Sequence, residues 1–463
     1  MLKAVNIDET RRAERRAATR LVDSILHKRS DRDWTDATIR SVVDDIVADR
    51  LSEAQTSAWL ATIACKGLTG REVAALTDAY ASSGSRMSVR SADGTVADKH
   101  STGGVGDKTT LIVAPIVASC GVPFAKLSGR GLGFAGGTID KLETIPGLAL
   151  DLDPARLRRV LGDANMVIAC QNDRLAPGDA ATYGLRSLTG SVESVTLIAA
   201  SILSKKFALQ PDALVLDVKF GRGALTPDRE VATTLARLMV SVASQRGIAA
   251  TALITDMDMP LGRSVGNTLE VLEAVNVLKD APPSRLRELA VQLSAELLLS
   301  SGAAPSSATA AELALSALES GRAYETFLRW IDAQGGQRSY VERLAEIVAS
   351  GPRTAVQAVD DGYVSDIDPV AIGNAATDLG AGVRTANDRI DPSAGIELHA
   401  RFGQWVGEGE TIATIHGRAC HASAVDAVRG AFRLRPVVPA APAPVVAERV
   451  AADAGFDPSE RFL

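Results

Sequence analysis

The sequence predicts an α/β protein that also carries an all-α lobe and a C-terminal α+β domain, and three observations predict it. Residues 21–81 set apolar side chains at helical spacing: Leu21, Ile25, Ile39, Val42, Val43, Ile46 and Val47, then Trp59, Leu60 and Ile63. From Ser85 short apolar runs alternate with glycine loops and helical stretches, the texture of a mostly parallel sheet. From residue 352 Val, Ile and Gly recur in short alternating stretches, notably Gly403 to Ile415, which read as glycine-turned strands.

Taken in order, the chain opens with Arg11-Arg12, Arg15-Arg16 and Arg20 among alanines and glutamates, a solvated helix rather than a nucleic-acid arm. Thr35 and Ser52 are expected to cap helices, Gly67 and Gly70 to stop them, and Trp59 to lie in a core or interface. Strands are expected over Pro123–Leu127, Met166–Cys170, Ala213–Val218 and Ala249–Asp256. The last opens into the loop Met259–Asn267, after which helices alternate to about residue 350. Pro436 to Pro444 is expected to run extended over the surface. His399, His416 and His421 lack an acidic cluster and read as satisfied or solvent-facing rather than metal-binding.

Composition bounds the function. A chain of 463 residues builds two or three domains. A net charge of −6, with no long basic tract, argues against bulk nucleic-acid binding, and 4% aromatics argues against a base-stacking platform. Four cysteines, at 65, 120, 170 and 420, show no paired metal spacing and fit a reducing compartment. No run reaches the length of a membrane span and the N-terminus has no signal-like apolar core, so a cytoplasmic protein is expected.

The chemistry is concentrated between residues 98 and 143. One glycine loop holds Gly103, Gly104 and Gly106; another holds Gly129, Gly131, Gly133, Gly136 and Gly137. Glycines let backbone amides approach an anion, and a following helix aims its positive end at the same place. Lys99, Ser101, Thr109, Thr110, Ser128 and Thr138 add a charge and hydroxyl donors, and His100 can move a proton. Gly103–Thr109 fails as a P-loop because Asp107 stands where that motif needs glycine. Gly131-Leu-Gly133-Phe-Ala-Gly136 satisfies the dinucleotide pattern, with Asp151 and Asp153 about 20 residues on. A lone phosphate nevertheless accounts for both loops together better than a dinucleotide does.

Lys99-His100-Ser101-Thr102-Gly-Gly-Val-Gly-Asp107, with Ser128-Gly-Arg-Gly-Leu-Gly133 and Gly136-Gly-Thr138-Ile-Asp-Lys-Leu-Glu143, resembles the signature of the thymidine and pyrimidine-nucleoside phosphorylases. The likeness runs from about residue 22 nearly to the C-terminus. It implies reversible phosphorolysis of pyrimidine (2′-deoxy)nucleosides, with inorganic phosphate as co-substrate and no other cofactor. It implies His100, Arg186 and Lys205 as catalytic residues, and phosphate held by Lys99, Ser101, Thr110, Ser128 and Thr138. The base would meet Leu132, Tyr183, Arg186, Ser201 and Lys205. By residue type alone, Ser201 and Lys205 read more readily as a helix N-terminal serine and a solvated lysine, and only the resemblance places them at the base. Some relatives hold a monovalent cation, K+, and the matching positions here lie near Gly106, Lys108, Leu261, Ser264 and Glu273.

The helical lobe, with apolar positions on more than one face, is expected to form a two-fold homodimer. The chain is expected to divide into three domains: residues 1–82 and 172–209 helical, for dimerisation and the base; 83–171 and 210–351 α/β, for phosphate; and 352–463 α+β, barrel-sandwich-like. The sequence departs from the family pattern at Phe134-Ala135, Ser187, Gly190, Ser191, Glu193 and Thr196, near the expected base and sugar. That leaves the identity of the nucleoside open. A phosphorylase of an atypical nucleoside and a non-catalytic nucleoside-binding homologue are the alternatives. Lys126 resembles the broader pyrimidine-nucleoside enzymes more than those restricted to thymidine.

Overall fold

The computed structural model describes residues 2–463 except 86, 88, 90–94, 132–135, 172–173, 280, 385–387, 419–420 and 453–455, together with all but the side chains of 2–8 and 187. Helices Leu2–Arg29, Asp36–Val47, Glu53–Lys66 and Gly70–Ser82 form the N-terminal lobe, joined later by Pro177–Leu188 and Val195–Leu209. Thr35 and Ser52 cap their helices by accepting the backbone amides of Thr38 and Gln55. Gly67 does end a helix, but Gly70 begins one. Thr69 is the cap there and Glu72 reaches back to it, a capping box legible as Thr-x-x-Glu. Trp34 and Trp59 stack at 5.6 Å in this core. Beside them Lys28 and Glu72, both withdrawn from solvent, pair at 2.6 Å. Glu72 also accepts the amides of Trp34 and Thr69, which pins three helices together.

The central sheet runs Ala249–Asp256, Ala213–Phe220, Ala97–Ser101, Phe124–Ser128 and Met166–Cys170, all parallel, with Val446–Ala451 antiparallel on its outer edge. Long Val/Leu/Ile/Ala runs make these strands, because a sheet covered on both faces buries both sides of each strand. One face packs on helices Thr109–Ser119, Arg285–Ser300 and Arg322–Ala333. On the other face Leu214, Leu216 and Val218 share a core with helix Arg229–Ser244 and the helical lobe. Chain order along the parallel strands reverses between Ala97–Ser101 and Ala213–Phe220. Doubly wound sheets hold their ligands at such a reversal, outside the C-terminal ends of the strands.

Three chain crossings join the lobes, and they are bonded to one another. Ser85 and Arg174 share a backbone hydrogen bond of 2.8 Å, Gly178 N donates to Ser83 Oγ at 2.9 Å, and Met87 N donates to Ala208 O at 2.9 Å.

The C-terminal part forms a four-stranded and a three-stranded antiparallel sheet around their own core, with helices Pro369–Ala376 and Ala422–Gly430. Here the strands divide differently from the 352–463 block that the sequence suggests. Ser264–Val265, from the α/β part, pairs with Gly395–Leu398. Val446–Ala451 returns to the central sheet, and Arg461–Phe462 crosses to pair with Leu68–Thr69 of the helical lobe. Pairings between such distant segments leave no periodicity for a sequence reading to detect. His399 meets Thr414 Oγ1 at 2.7 Å and His416 meets Glu397 at 3.3 Å. Among the described residues no group of histidine, cysteine and carboxylate ligands fit for a metal is present. No described helix is long and apolar enough to cross a membrane.

Candidate active site

Strand Ala97–Ser101 divides the site by its alternation, since successive side chains point to opposite faces. Lys99 and Ser101 take one face. Lys99 Nζ lies 3.1 Å from Asp217 and donates to Thr109 Oγ1 at 2.5 Å, with no exposure to solvent. Thr109 donates in turn to Asp107 at 2.6 Å. Asp217 also holds Lys219 at 3.1 Å and accepts from Thr255 at 2.6 Å. Burial works to raise the Asp107 carboxyl, but Lys219 and Lys99 outweigh it and hold the group well below the usual carboxylate range. Burial likewise disfavours the Lys219 ammonium, yet Asp107 and Asp217 raise its affinity for a proton. In the first glycine loop Ser101 Oγ accepts the amide of Gly103 at 3.2 Å, and Gly104 lies against the Lys219 side chain. Thr110 stands in the first turn of helix Thr109–Ser119, Ser128 ends the neighbouring strand, and Thr138 opens helix Thr138–Leu142.

Asp98 and His100 take the opposite face, toward helix Val195–Leu209. Lys206 of that helix reaches Asp98 at 2.7 Å across the lobe boundary. The His100 ring is partly buried and its Nδ1 is closed off from solvent without a hydrogen-bond partner. A buried polar atom left in this way calls for an explanation, and a catalytic role is one of those open to a histidine. Burial, then Lys206, Lys126, Lys99 and Lys205, push His100 well below the ordinary histidine value. Lys126 sits in the next strand with its ammonium on Lys99 O at 2.5 Å.

Ser201 and Lys205, one helical turn apart, meet at 3.0 Å, and Lys205 is also ion-paired to buried Asp179. Arg186 is buried and donates to three backbone carbonyls: Ser191 at 3.4 Å, Leu197 at 3.4 Å and Val192 at 2.7 Å. A guanidinium has five donors, so two remain for a ligand. Tyr183 lies 5.5 Å from Arg186 across its ring face and is 46% exposed. Tyr80 and Asp179 close the back of the wall; burial first, then Asp179, raises the Tyr80 phenol. Leu132 and the Phe134-Ala135 departure lie outside the described residues, as does the Ser187 side chain. Gly190 turns the chain at φ +63°, which directs the Ser191 and Val192 carbonyls onto Arg186. Gly190 and Ser191, two of the departures after Arg186, are therefore part of its holder.

Sequence reasoning missed Asp217, Lys219, Asp98, Lys206 and Asp179. The signal for two of them was available: Asp217 and Lys219 are charges inside the apolar run Ala213–Phe220. Charges buried in a strand are rare unless paired, and their i, i+2 spacing puts both on one face.

Three family models cover most of the chain. Residues 22–84 match the glycosyl transferase family helical bundle domain, 93–324 its a/b domain, and 363–435 the pyrimidine nucleoside phosphorylase C-terminal domain. A pyrimidine-nucleoside phosphorylase of Staphylococcus aureus (strain bovine RF122 / ET3-1) is 40% identical over 397 residues, 86% of this chain and 92% of that one. The chain belongs to the pyrimidine-nucleoside phosphorylase family. Another relative of that name, from Geobacillus stearothermophilus, is 39% identical over the same shares. Among solved structures, anthranilate phosphoribosyltransferase (TrpD) from Thermus thermophilus superposes with a TM-score of 0.55, covering 67% of this chain and 99% of that one. At 19% identity that likeness speaks for the fold alone. The family assignment agrees with the resemblance carried by the two glycine loops and with the order of helical, α/β and small C-terminal parts.

Proposed function

We propose that this member of the pyrimidine-nucleoside phosphorylase family catalyses the reversible reaction of a pyrimidine (2′-deoxy)nucleoside with phosphate, giving free base and (deoxy)ribose 1-phosphate. The observation that supports the reading is the buried, unpartnered Nδ1 of His100, next in the strand to Lys99 and within the field of Lys205. Phosphate would bind Lys99, Ser101, Thr110, Ser128 and Thr138 at the glycine loops. The base would lie against Tyr183, Arg186, Ser201 and Lys205. As the bond from C1′ to the base nitrogen breaks, positive charge grows on the sugar and a phosphate oxygen forms the new bond to C1′. The electron pair leaves with the base; Arg186 and Lys205 stabilise the negative charge as it builds on the ring, and His100 then neutralises it by giving its proton to the carbonyl oxygen. Donors fixed in advance for such developing charge are usually the largest catalytic contribution.

A screen of thymidine, uridine, deoxyuridine, cytidine and ring-modified analogues, read by free base, tests the substrate range. Turnover of the uracil-type nucleosides is expected, since Lys126 resembles the residue of the broader pyrimidine-nucleoside enzymes rather than of those restricted to thymidine. Binding of these nucleosides without turnover of any of them would make the protein a non-catalytic homologue.

We also place the protein in solution as a homodimer. On helix Leu2–Arg29, Val22 and Leu26 stand four residues apart, 50% and 52% exposed, and thus form one apolar stripe. A two-fold contact through that stripe is the commonest closed symmetry. Light scattering should return twice the chain mass, and a monomer mass at working concentration would remove this part.

A further inference from the structure

The candidate cation residues come together around a side chain. Lys108 Nζ donates to Leu261 O at 3.0 Å, Ser264 O at 2.8 Å and Glu273 Oε2 at 2.6 Å. An ammonium has three donors, so this one is saturated, and it is fully withdrawn from solvent. Two backbone carbonyls and a carboxylate are the oxygen surroundings a dehydrated monovalent cation takes. Glu273 is fixed in place by the amides of Arg263 at 2.7 Å and Ser264 at 2.9 Å. Gly262 is required for that approach: its φ is +83°, and a Cβ would stand 2.6 Å from the Glu273 carboxylate.

We infer that Lys108 is a built-in cation, an ammonium that takes the place of a free monovalent ion and anchors the first glycine loop. Lys108 directly precedes helix Thr109–Ser119, whose first residues are Thr109 and Thr110. On its other side the loop rests on the same partners. Leu261 N donates to Val105 O at 3.0 Å, and at Gly106 a Cβ would come within 2.7 Å of Leu261 O. The lysine therefore closes a second tie between loop 103–107 and the turn 261–264, and a covalently attached charge cannot be lost at low salt. Lys108 touches no reacting atom on this account; it is a positioning residue. The anchoring stands on the geometry alone, and only its bearing on phosphate affinity rests on the phosphorolysis reading.

The experiment compares wild type and Lys108→Ala in potassium, ammonium and tetramethylammonium chloride at equal ionic strength. Thermal midpoints read the cage directly, and the KM for phosphate reads the loop. Wild-type midpoints and KM values should superimpose in all three salts. In tetramethylammonium, which is too large for the cage, Lys108→Ala should melt lower, raise KM for phosphate and lose kcat/KM on the order of 10²-fold, the scale of an ångström's misplacement. Potassium or ammonium should restore both. A wild-type midpoint that needs potassium would overturn the inference, and that comparison stands even if the variant fails to fold. A folded variant indifferent to potassium and ammonium would overturn it too. If the cation responses appear in the midpoints while no nucleoside is turned over, the phosphorolysis reading fails and the built-in cation stands.

Discussion

His100→Ala is expected to lower turnover by roughly 10²–10⁴-fold, the usual contribution of a general acid, while phosphate binding survives. The reason is the division of the Ala97–Ser101 strand: Lys99 and Ser101 face the loop, and His100 faces the helix of Ser201 and Lys205. Burial of its ring, then Lys206, Lys126, Lys99 and Lys205, hold His100 well below the ordinary histidine value. A phosphate dianion beside Lys99 offsets part of that field. Phosphate binding is therefore expected to draw a proton onto His100, which calorimetry in buffers of different ionisation enthalpy would read as the difference in proton exchange between wild type and His100→Ala. The same shift sets a sign for stability. As pH falls through 6.5 the unfolded chain protonates this histidine before the native state does, so stability contributed by the neutral form is present above 6.5 and declines below it. Unchanged turnover in the alanine variant would remove His100 from the mechanism.

Asp217→Ala is expected to cost about 3–5 kcal/mol of stability, the range for removing one partner from a buried ion pair. Asp217 is fully buried and holds Lys99 and Lys219 at 3.1 Å each, so its loss leaves two buried cations with one fewer carboxylate. Urea denaturation checks the value. Asp217→Asn keeps the hydrogen bond to Thr255 while removing the charge, and the two variants together separate shape from electrostatics. The KM for phosphate should rise in both, because Lys99 loses the group that orients it. A change below about 1 kcal/mol would mean that water or relaxation satisfies the lysines without Asp217.

Much of this was legible in the chain. Strand Met166–Cys170 begins and ends where its apolar run does, and strand Ala249–Asp256 spans the residues expected of it, because each is covered on both faces and needs no alternation. The Ser201–Lys205 pair follows from helical spacing alone, and the structure joins the two at 3.0 Å. What escaped the sequence reading depends on contacts between distant segments. Asp98 and Lys206 are 108 residues apart, and nothing local distinguishes Lys206 from a solvated lysine. The ties of Lys108 to Leu261 and Ser264 close spans of 153 and 156 residues, so the position read as part of a cation site without showing that its own ammonium fills it. The tail strands were hidden for the same reason, since Phe462 finds its partner at Leu68. Gly70 is a different case. A glycine after a helical run suggested a stop, while the Thr69 and Glu72 capping box beside it outweighed that signal and started the next helix.

The most direct test of the account is the stoichiometry of bond exchange. The protein is incubated with uridine or thymidine, with and without inorganic phosphate, and products are followed by phosphorus NMR and by ultraviolet detection of the free base. The account predicts one equivalent of pentose 1-phosphate for each base released, and no base without phosphate. Base release independent of phosphate, or no sugar phosphate from any pyrimidine nucleoside, would contradict it.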